Sequence, residues 1–201
     1  MEHYYTNKPN SNSNERKISG YINDKKYYFY TDNGVFSKGN IDFGTKTMLE
    51  NFSSTKEEAE VCDLGCGYGV VTIFLSTIYK NYNYTMIDIN SRSLLLAQKN
   101  IQLNNIESTV KFLENNALDN VEKNFDIILT NPPIRAGKEI VHKMIKQSYN
   151  RLNYNGELWV VIQKKQGMAS CKKLIQDIFS NVEVVAKNKG YYILKSIKKL
   201  T

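Results

Sequence analysis

From residue 60 onward the chain alternates short apolar segments with amphipathic ones, and no other pattern in it limits the possible folds as sharply. Residues 61–64, 84–89, 109–113, 125–130 and 158–163 read as strands. The intervening residues read as helices: one from the glycine-rich turn to about residue 79, then 91–104, 138–152 and, after the fifth strand, 168–179. The helix over 91–104 is expected to bury Leu94, Leu95, Ala97 and Ile101. Strands separated by helices pair in parallel, because a parallel neighbour needs a crossover, so the pattern predicts a doubly wound, mostly parallel α/β sheet. Residues 182–186 and 191–196 should close it as an antiparallel hairpin at one edge, giving seven strands. Ligands in such sheets bind beyond the carboxyl ends of the strands. Three strand tips therefore matter: after Leu64, after Ile87 and after Leu129.

The residues ahead of this pattern read as an extension of the same domain. Residues 7–16 are rich in Asn, Ser and Lys and read as loop. Residues 17–22 and 26–31 form two short strands around Asn23-Asp24, and Asp42 is placed to cap a helix running to about residue 53. The organisation expected is a hairpin and helix over residues 1–53 and one catalytic domain over 54–201.

Several classes are excluded. No segment approaches the roughly 18 apolar residues of a membrane span, and the polar N-terminus lacks a signal core. Three cysteines, Cys62, Cys66 and Cys171, fit a reducing cytoplasm rather than a disulfide framework. With His3 and His142 far apart and no histidine near the cysteines, no metal site is expected.

The first tip is Asp63-Leu64-Gly65-Cys66-Gly67-Tyr68-Gly69. Alternate glycines let the backbone turn sharply and approach a ligand, and a helix N-terminus follows. A dinucleotide fingerprint spaces its glycines G-x-G-x-x-G. Here the spacing is shorter and Asp63 stands two residues ahead, where a carboxylate would repel a pyrophosphate. It suits a ligand with a cationic end, such as the amino-acid part of S-adenosylmethionine. At the second tip Asp88 can accept hydrogen bonds from both hydroxyls of a ribose. After the third strand, Asn116-Ala117 could meet the edge of an adenine.

The remaining tip carries the chemistry. In Asn131-Pro132-Pro133-Ile134, proline pushes Asn131 toward extended backbone, and two prolines remove two N–H donors. What is left is a stiff turn presenting acceptors: the Asn131 side-chain oxygen and the Pro132 carbonyl. Together they can hold both protons of an amino group and point its lone pair at a methyl donor. Methylation of a pyrimidine carbon would need a cysteine nucleophile, and none adjoins this turn.

On these residues the chain resembles class I S-adenosylmethionine-dependent methyltransferases, and within them the catalytic domain of bacterial small-subunit (16S) ribosomal RNA guanine-N2 methyltransferases. The likeness includes Gly34-Val35-Phe36-Ser37-Lys38, Asp42-Phe43-Gly44-Thr45, the loop from Asp63 to Gly69, and Asp88-Ile89-Asn90. It continues through Asn131-Pro132-Pro133-Ile134-Arg135-Ala136-Gly137-Lys138 and the run from Val161 to Gly167. The resemblance implies S-adenosylmethionine as cofactor, held by Asp63, Gly65, Cys66, Gly67, Asp88, Ile89, Asn116 and Ala117, with Phe43, Thr45 and Asn131 completing its pocket. It implies catalysis by the turn Asn131, Pro132, Pro133 and Ile134. Phe36, Arg135, Lys138, Lys164 and Lys165 would hold RNA. The best-known relatives carry a second domain ahead of the catalytic one, which this length is not expected to accommodate. Many have Asp where this chain has Asn116.

Charge supports an RNA partner by its placement. The chain carries a formal net charge of +7. Residues 1–134 hold 13 basic and 16 acidic groups, whereas residues 135–201 hold 14 and 4. The basic excess thus begins just past the Pro-Pro turn, where phosphates would flank an extruded base. Three alternatives stay open: a glutamine-side-chain N-methyltransferase acting on a protein, an adenine-N6 enzyme acting on DNA, and a non-catalytic RNA-binding or assembly protein of this fold. The first uses the same turn, commonly with Tyr where Ile134 stands. The glycine spacing disfavours a nicotinamide-dependent oxidoreductase.

Overall fold

The fold follows from which side chains each strand turns to either face of one central sheet. A computed structural model describes residues 12–199, so the first part of the expected N-terminal loop, residues 7–11, lies outside the described residues. The elements are β1 (Arg16–Ile22), β2 (Lys25–Thr31), α1 (Phe43–Asn51), β3 (Glu60–Leu64), α2 (Val70–Ser76), β4 (Asn83–Asp88) and α3 (Ser91–Leu103). They continue with β5 (Val110–Glu114), β6 (Phe125–Thr130), α4 (Lys138–Arg151), β7 (Leu152–Gln163), α5 (Met168–Phe179), β8 (Glu183–Asn188) and β9 (Tyr191–Ile197). Short 3-10 turns precede α4 (Ile134–Ala136) and α5 (Lys164–Gln166).

Seven strands form one sheet in the order β5-β4-β3-β6-β7-β9-β8. Pairings from β5 to β7 are parallel, and β9 runs antiparallel to both neighbours. The terminal hairpin expected at the edge is present, with its second strand inserted between β7 and β8. The chain leaves β3 toward β4 and later returns to β3's other side as β6. This reversal makes the tip of β3 the switch point where such sheets bind ligands.

Strand alternation divides the core in two. Val61, Ile127, Leu129, Trp159 and Val161 face one layer, with α1, α2 and the hairpin. Cys62, Leu64, Ile128, Leu158, Val160 and Ile162 face the other, with α4 and α5. Burying each large apolar side chain stabilises the fold by about 1.5–3 kcal/mol. The β1–β2 hairpin forms a separate two-stranded sheet, turning through Asn23 and Asp24 at positive φ, as a two-residue hairpin loop requires. Its inner face buries Ile22, Tyr27 and Phe29, and Tyr27 packs edge-on against Phe74 of α2. Asn100, buried on α3, ties the hairpin down: its Oδ1 accepts from the Tyr30 N–H at 2.6 Å and its Nδ2 donates to the carbonyls of Tyr30 and Tyr68.

Some boundaries depart from expectation. Helix α2 ends at Ser76 rather than near residue 79, because the N–H groups of Thr77 and Ile78 bond three residues back and tighten the chain into a turn. Strand β7 starts at Leu152 rather than 158; Asn155 bulges out at φ 60° while its N–H bonds Lys198, so a turn-like sequence stays in the ladder. On α3, Leu95 is 60% exposed and Leu96 is buried instead. The buried face centres on Ser93, Leu94, Ala97 and Asn100, and Leu95 points nearly opposite to it.

Helix α1 sits directly on the sheet at Gly44, where an added Cβ would lie 2.5 Å from the Tyr191 ring and 2.6 Å from Val161. Gly44→Ala is accordingly expected to destabilise the protein by about 1–3 kcal/mol despite alanine's better helix propensity. A denaturant titration checks this, and unchanged stability would contradict the close packing.

Candidate active site

The three strand tips converge on one cavity, lined by Leu64 and Gly65 from the first, Ile87 and Asp88 from the second, and Asn131 from the third. At the tip of β3, the N–H groups of Gly65 and Cys66 both reach the Ile87 carbonyl, at 2.8 and 3.0 Å, so the glycine loop lies across the end of β4. Gly67 takes φ 55° and turns its N–H onto Asp88 Oδ2 at 2.8 Å. Gly69 at φ 99° opens α2, and a Cβ there would meet Met86 at 3.0 Å. These two glycines are required by conformation and by close approach.

Asp63 is buried in the cavity wall, and its Oδ2 accepts from Thr72 Oγ1 at 2.8 Å and from the Thr72 N–H at 3.2 Å. Burial pushes its carboxyl up to about 7; the Thr72 bonds oppose the rise and neighbouring Asp88 adds to it. Asp88 itself accepts from the N–H groups of Gly67 and Asn90, which partly offset a rise also caused by burial. Asn90, rather than Asp88, caps α3 by accepting from Arg92 and Ser93. That keeps Asp88 in the cavity wall, where a carboxylate oxygen has room for more than one donor. One end of the cavity thus carries a charge that a cation would satisfy, and the next tip carries acceptors for hydroxyls. These acceptors suit the ammonium and hydroxyl donors on the amino-acid and ribose parts of S-adenosylmethionine.

Asn131 stands in the wall between this cavity and a second one, lined also by Pro132, Ile134 and Arg135. Its Nδ2 donates to Asp42 Oδ2 and to Thr45 Oγ1, each at 2.9 Å. A carboxylate only accepts, so the atom facing Asp42 is the nitrogen, and the amide oxygen is turned the other way. Asp42 Oδ2 also accepts from the Thr45 N–H at 2.8 Å, capping α1 as expected from the sequence. One carboxylate therefore starts a helix and orients the amide. Asp42 and Thr45 are positioning residues for Asn131.

The cavities divide the candidate residues. Asp63, Gly65, Cys66, Gly67, Asp88, Ile89, Ala117, Thr45 and Pro133 line the first. Pro132, Ile134 and Arg135 line the second, and Phe36 and Asn131 line both. Lys138 lines a third pocket beside Ile134, and Lys164 and Lys165 are exposed on the turn after β7. Two candidates stand elsewhere. Phe43 packs against Tyr191 at 5.9 Å between ring centres, with Lys189 over its other neighbourhood at 4.8 Å. Asn116 is not in the cavity wall; Asn115 is, with its Nδ2 donating to the carbonyls of Ala117 and Asp119. Sequence reading also left out Ser37, Tyr68 and Met144 from the first cavity and Lys38, Gln163 and Gln166 from the second, which Tyr191 lines as well. All three cysteines are free and buried, and burial holds each thiol protonated, Cys171 up to about 12.

A doubly wound sheet with a glycine loop, two acidic tips and an Asn-Pro-Pro turn defines a nucleoside-binding methyltransferase site. The family model for the methyltransferase small domain matches residues 26–195, and the chain belongs to that family. It is 42% identical over 199 residues, 98% of each chain, to the uncharacterized protein YbxB of Bacillus subtilis. It is 29% identical over 182 residues to ribosomal RNA small subunit methyltransferase C of Psychromonas ingrahamii, covering 89% of this chain and 50% of that protein. Among solved structures, it is similar to the T. thermophilus 16S rRNA N2 G1207 methyltransferase (RsmC) in complex with AdoMet and guanosine, with a TM-score of 0.81 and 24% identity over 95% of this chain and 52% of that one. The chain spans about half the length of both methyltransferases. Among the described residues no helix is long and apolar enough to cross a membrane, and no cluster of three His, Cys, Asp or Glu could hold a metal ion.

Proposed function

We propose that this chain is an S-adenosylmethionine-dependent methyltransferase acting in the cytoplasm on ribosomal RNA, most specifically on the exocyclic N2 amino group of a guanine in the small subunit. The observation that carries the reading is Asn131: an amide pinned by Asp42 and Thr45, with its oxygen turned away from them, in the wall shared by two cavities. In this reading the first cavity holds the cofactor. Asp63 faces the ammonium group, Asp88 the ribose hydroxyls, and the turned backbone of Gly65 to Gly67 lies close along the ligand. Bound there, S-adenosylmethionine supplies a methyl group on a positively charged sulfur.

The second cavity takes the target base. The Asn131 oxygen and the Pro132 carbonyl accept the two protons of its amino group, which directs the nitrogen lone pair at the methyl carbon. Positive charge builds on nitrogen during transfer, and two fixed acceptors stabilise it. The extra proton leaves to solvent afterward, so no strong base is needed. Arg135 and Lys38 at this cavity supply cations for phosphates. The names of the small-subunit methyltransferase relatives support ribosomal RNA as substrate class.

Mass mapping of ribosomal RNA from a strain lacking the gene tests the substrate: one N2-methylguanosine should disappear and return on complementation. An unchanged modification map would overturn the assignment. The cofactor is tested separately by melting. At about 100 times its dissociation constant, S-adenosylmethionine should add roughly 2.7 kcal/mol of stability, equivalent to about 5–10 °C for a chain of this size.

A further inference from the structure

The β1–β2 hairpin buries one face and leaves the other open. Its register places Lys17 opposite Tyr30, Ser19 opposite Tyr28, and Tyr21 opposite Lys26, and these six side chains share the outward face. Tyr21 is 55% exposed and Tyr28 41%, two of the few large side chains the protein leaves in solvent. Lysine ammonium groups ride over both rings: Lys17 is 4.9 Å and Lys26 5.3 Å from the centre of Tyr28, and Lys26 is 6.0 Å from that of Tyr21. None of these six positions carries a carboxylate. The basic excess of residues 135–201 does not include it, and the cofactor and target cavities do not use it.

We propose that this outward face is a docking surface for single-stranded RNA flanking the target nucleotide, an inference that rests on the RNA-methyltransferase reading above. The chemistry is specific to that partner. Exposed aromatic rings on a sheet stack on unpaired bases, and lysines interleaved with them meet phosphates. Ser19 adds a hydroxyl for a sugar or phosphate contact. A duplex hides its base faces and offers nothing for Tyr21 or Tyr28 to stack on. Position supports the same occupant. The chain runs from Tyr30 directly to Phe36, which lines both cavities, so Tyr30, at the near end of the face, lies within about 22 Å of Phe36 by chain length alone. The hairpin is held rigidly there by Asn100 and by Asn104, whose Nδ2 donates to the Tyr28 carbonyl at 2.9 Å.

The test is fluorescence anisotropy with a labelled uridine dodecamer and, in parallel, an RNA duplex of equal length. Wild type should bind the single strand more tightly. The double variant Tyr21→Ala/Tyr28→Ala should weaken that binding by roughly tenfold per ring while leaving melting temperature and duplex binding unchanged. Lys17→Ala/Lys26→Ala should reduce the slope of log affinity against log salt by about 1.4, the value for two single-strand phosphate contacts. Affinity and slope unaltered in both variants, no binding of the dodecamer by wild type, or equal losses on the duplex would each overturn the proposal. Loss of dodecamer binding in the variants, together with an intact ribosomal modification map in the deletion strain, would uphold the docking surface and sink the ribosomal RNA substrate assignment instead.

Discussion

Asn131→Ala should lower the rate of methyl transfer by about 100- to 1,000-fold, the usual effect of removing one preorganised hydrogen-bonding group from a reacting centre. Affinity for S-adenosylmethionine should change far less, because Asp63, Asp88 and the glycine loop remain. The two bonds that fix the amide, both 2.9 Å, make a sharper companion experiment possible. Serine caps helices as well as aspartate does, but it is shorter and carries no charge. Asp42→Ser should therefore keep the melting temperature and still lose about 10- to 100-fold in rate, since small misplacement of an orienting group is costly. Single-turnover kinetics beside thermal melts separate these outcomes. If Asn131→Ala turns over like wild type, the orienting role fails; if Asp42→Ser does, the amide does not depend on its anchor.

Cofactor affinity should climb as pH rises from 6 to 8, and the sign follows from Asp63. Its carboxyl is raised from 3.8 to about 7 in the folded protein without ligand. A raised carboxyl favours the folded state at low pH, and that contribution is lost as pH rises from about 4 through 7. Binding an ammonium group requires the ionised form, so below pH 7 binding must release a proton and affinity should drop by up to tenfold per pH unit. Calorimetry at pH 6 in buffers of different ionisation enthalpy should detect that proton, and at pH 8 it should be absent. Asp63→Asn should bind more weakly at every pH and flatten the dependence. A wild-type affinity independent of pH would mean that Asp63 does not face the cation.

What was legible in the sequence was local. Apolar alternation located the strands, and the glycines between Asp63 and Val70 marked the turn because their conformations are closed to other residues. Asp88 and Asn131 could be picked out because one ends a strand and the other directly follows one, and strand ends are where this architecture gathers ligands. The illegible part was pairing across distance. Asp42 reads as a helix cap and nothing more, yet its second partner is 89 residues away. Asn100 looks like one polar residue among several on α3, yet it clasps a hairpin 70 residues upstream. Asn115 and Asn116 are chemically identical neighbours, and only the path of the backbone after β5 decides which enters the wall. Leu95 and Leu96 differ by one step of helical rotation, which composition alone does not resolve.

Asp42 also joins two properties that proteins usually keep apart. The same carboxylate oxygen begins helix α1 and aims the amide at which the reaction is proposed to occur. Any event that frays the start of that helix also frees the amide to rotate and disturbs the wall of the first cavity, which Asp42 and Thr45 line. The wall of the site therefore crosses the border between the N-terminal extension and the sheet. Until the leading segment docks, the first cavity lacks Phe36, Ser37, Asp42 and Thr45 from its wall, and Asn131 lacks its anchor, so pocket and amide are completed by one event.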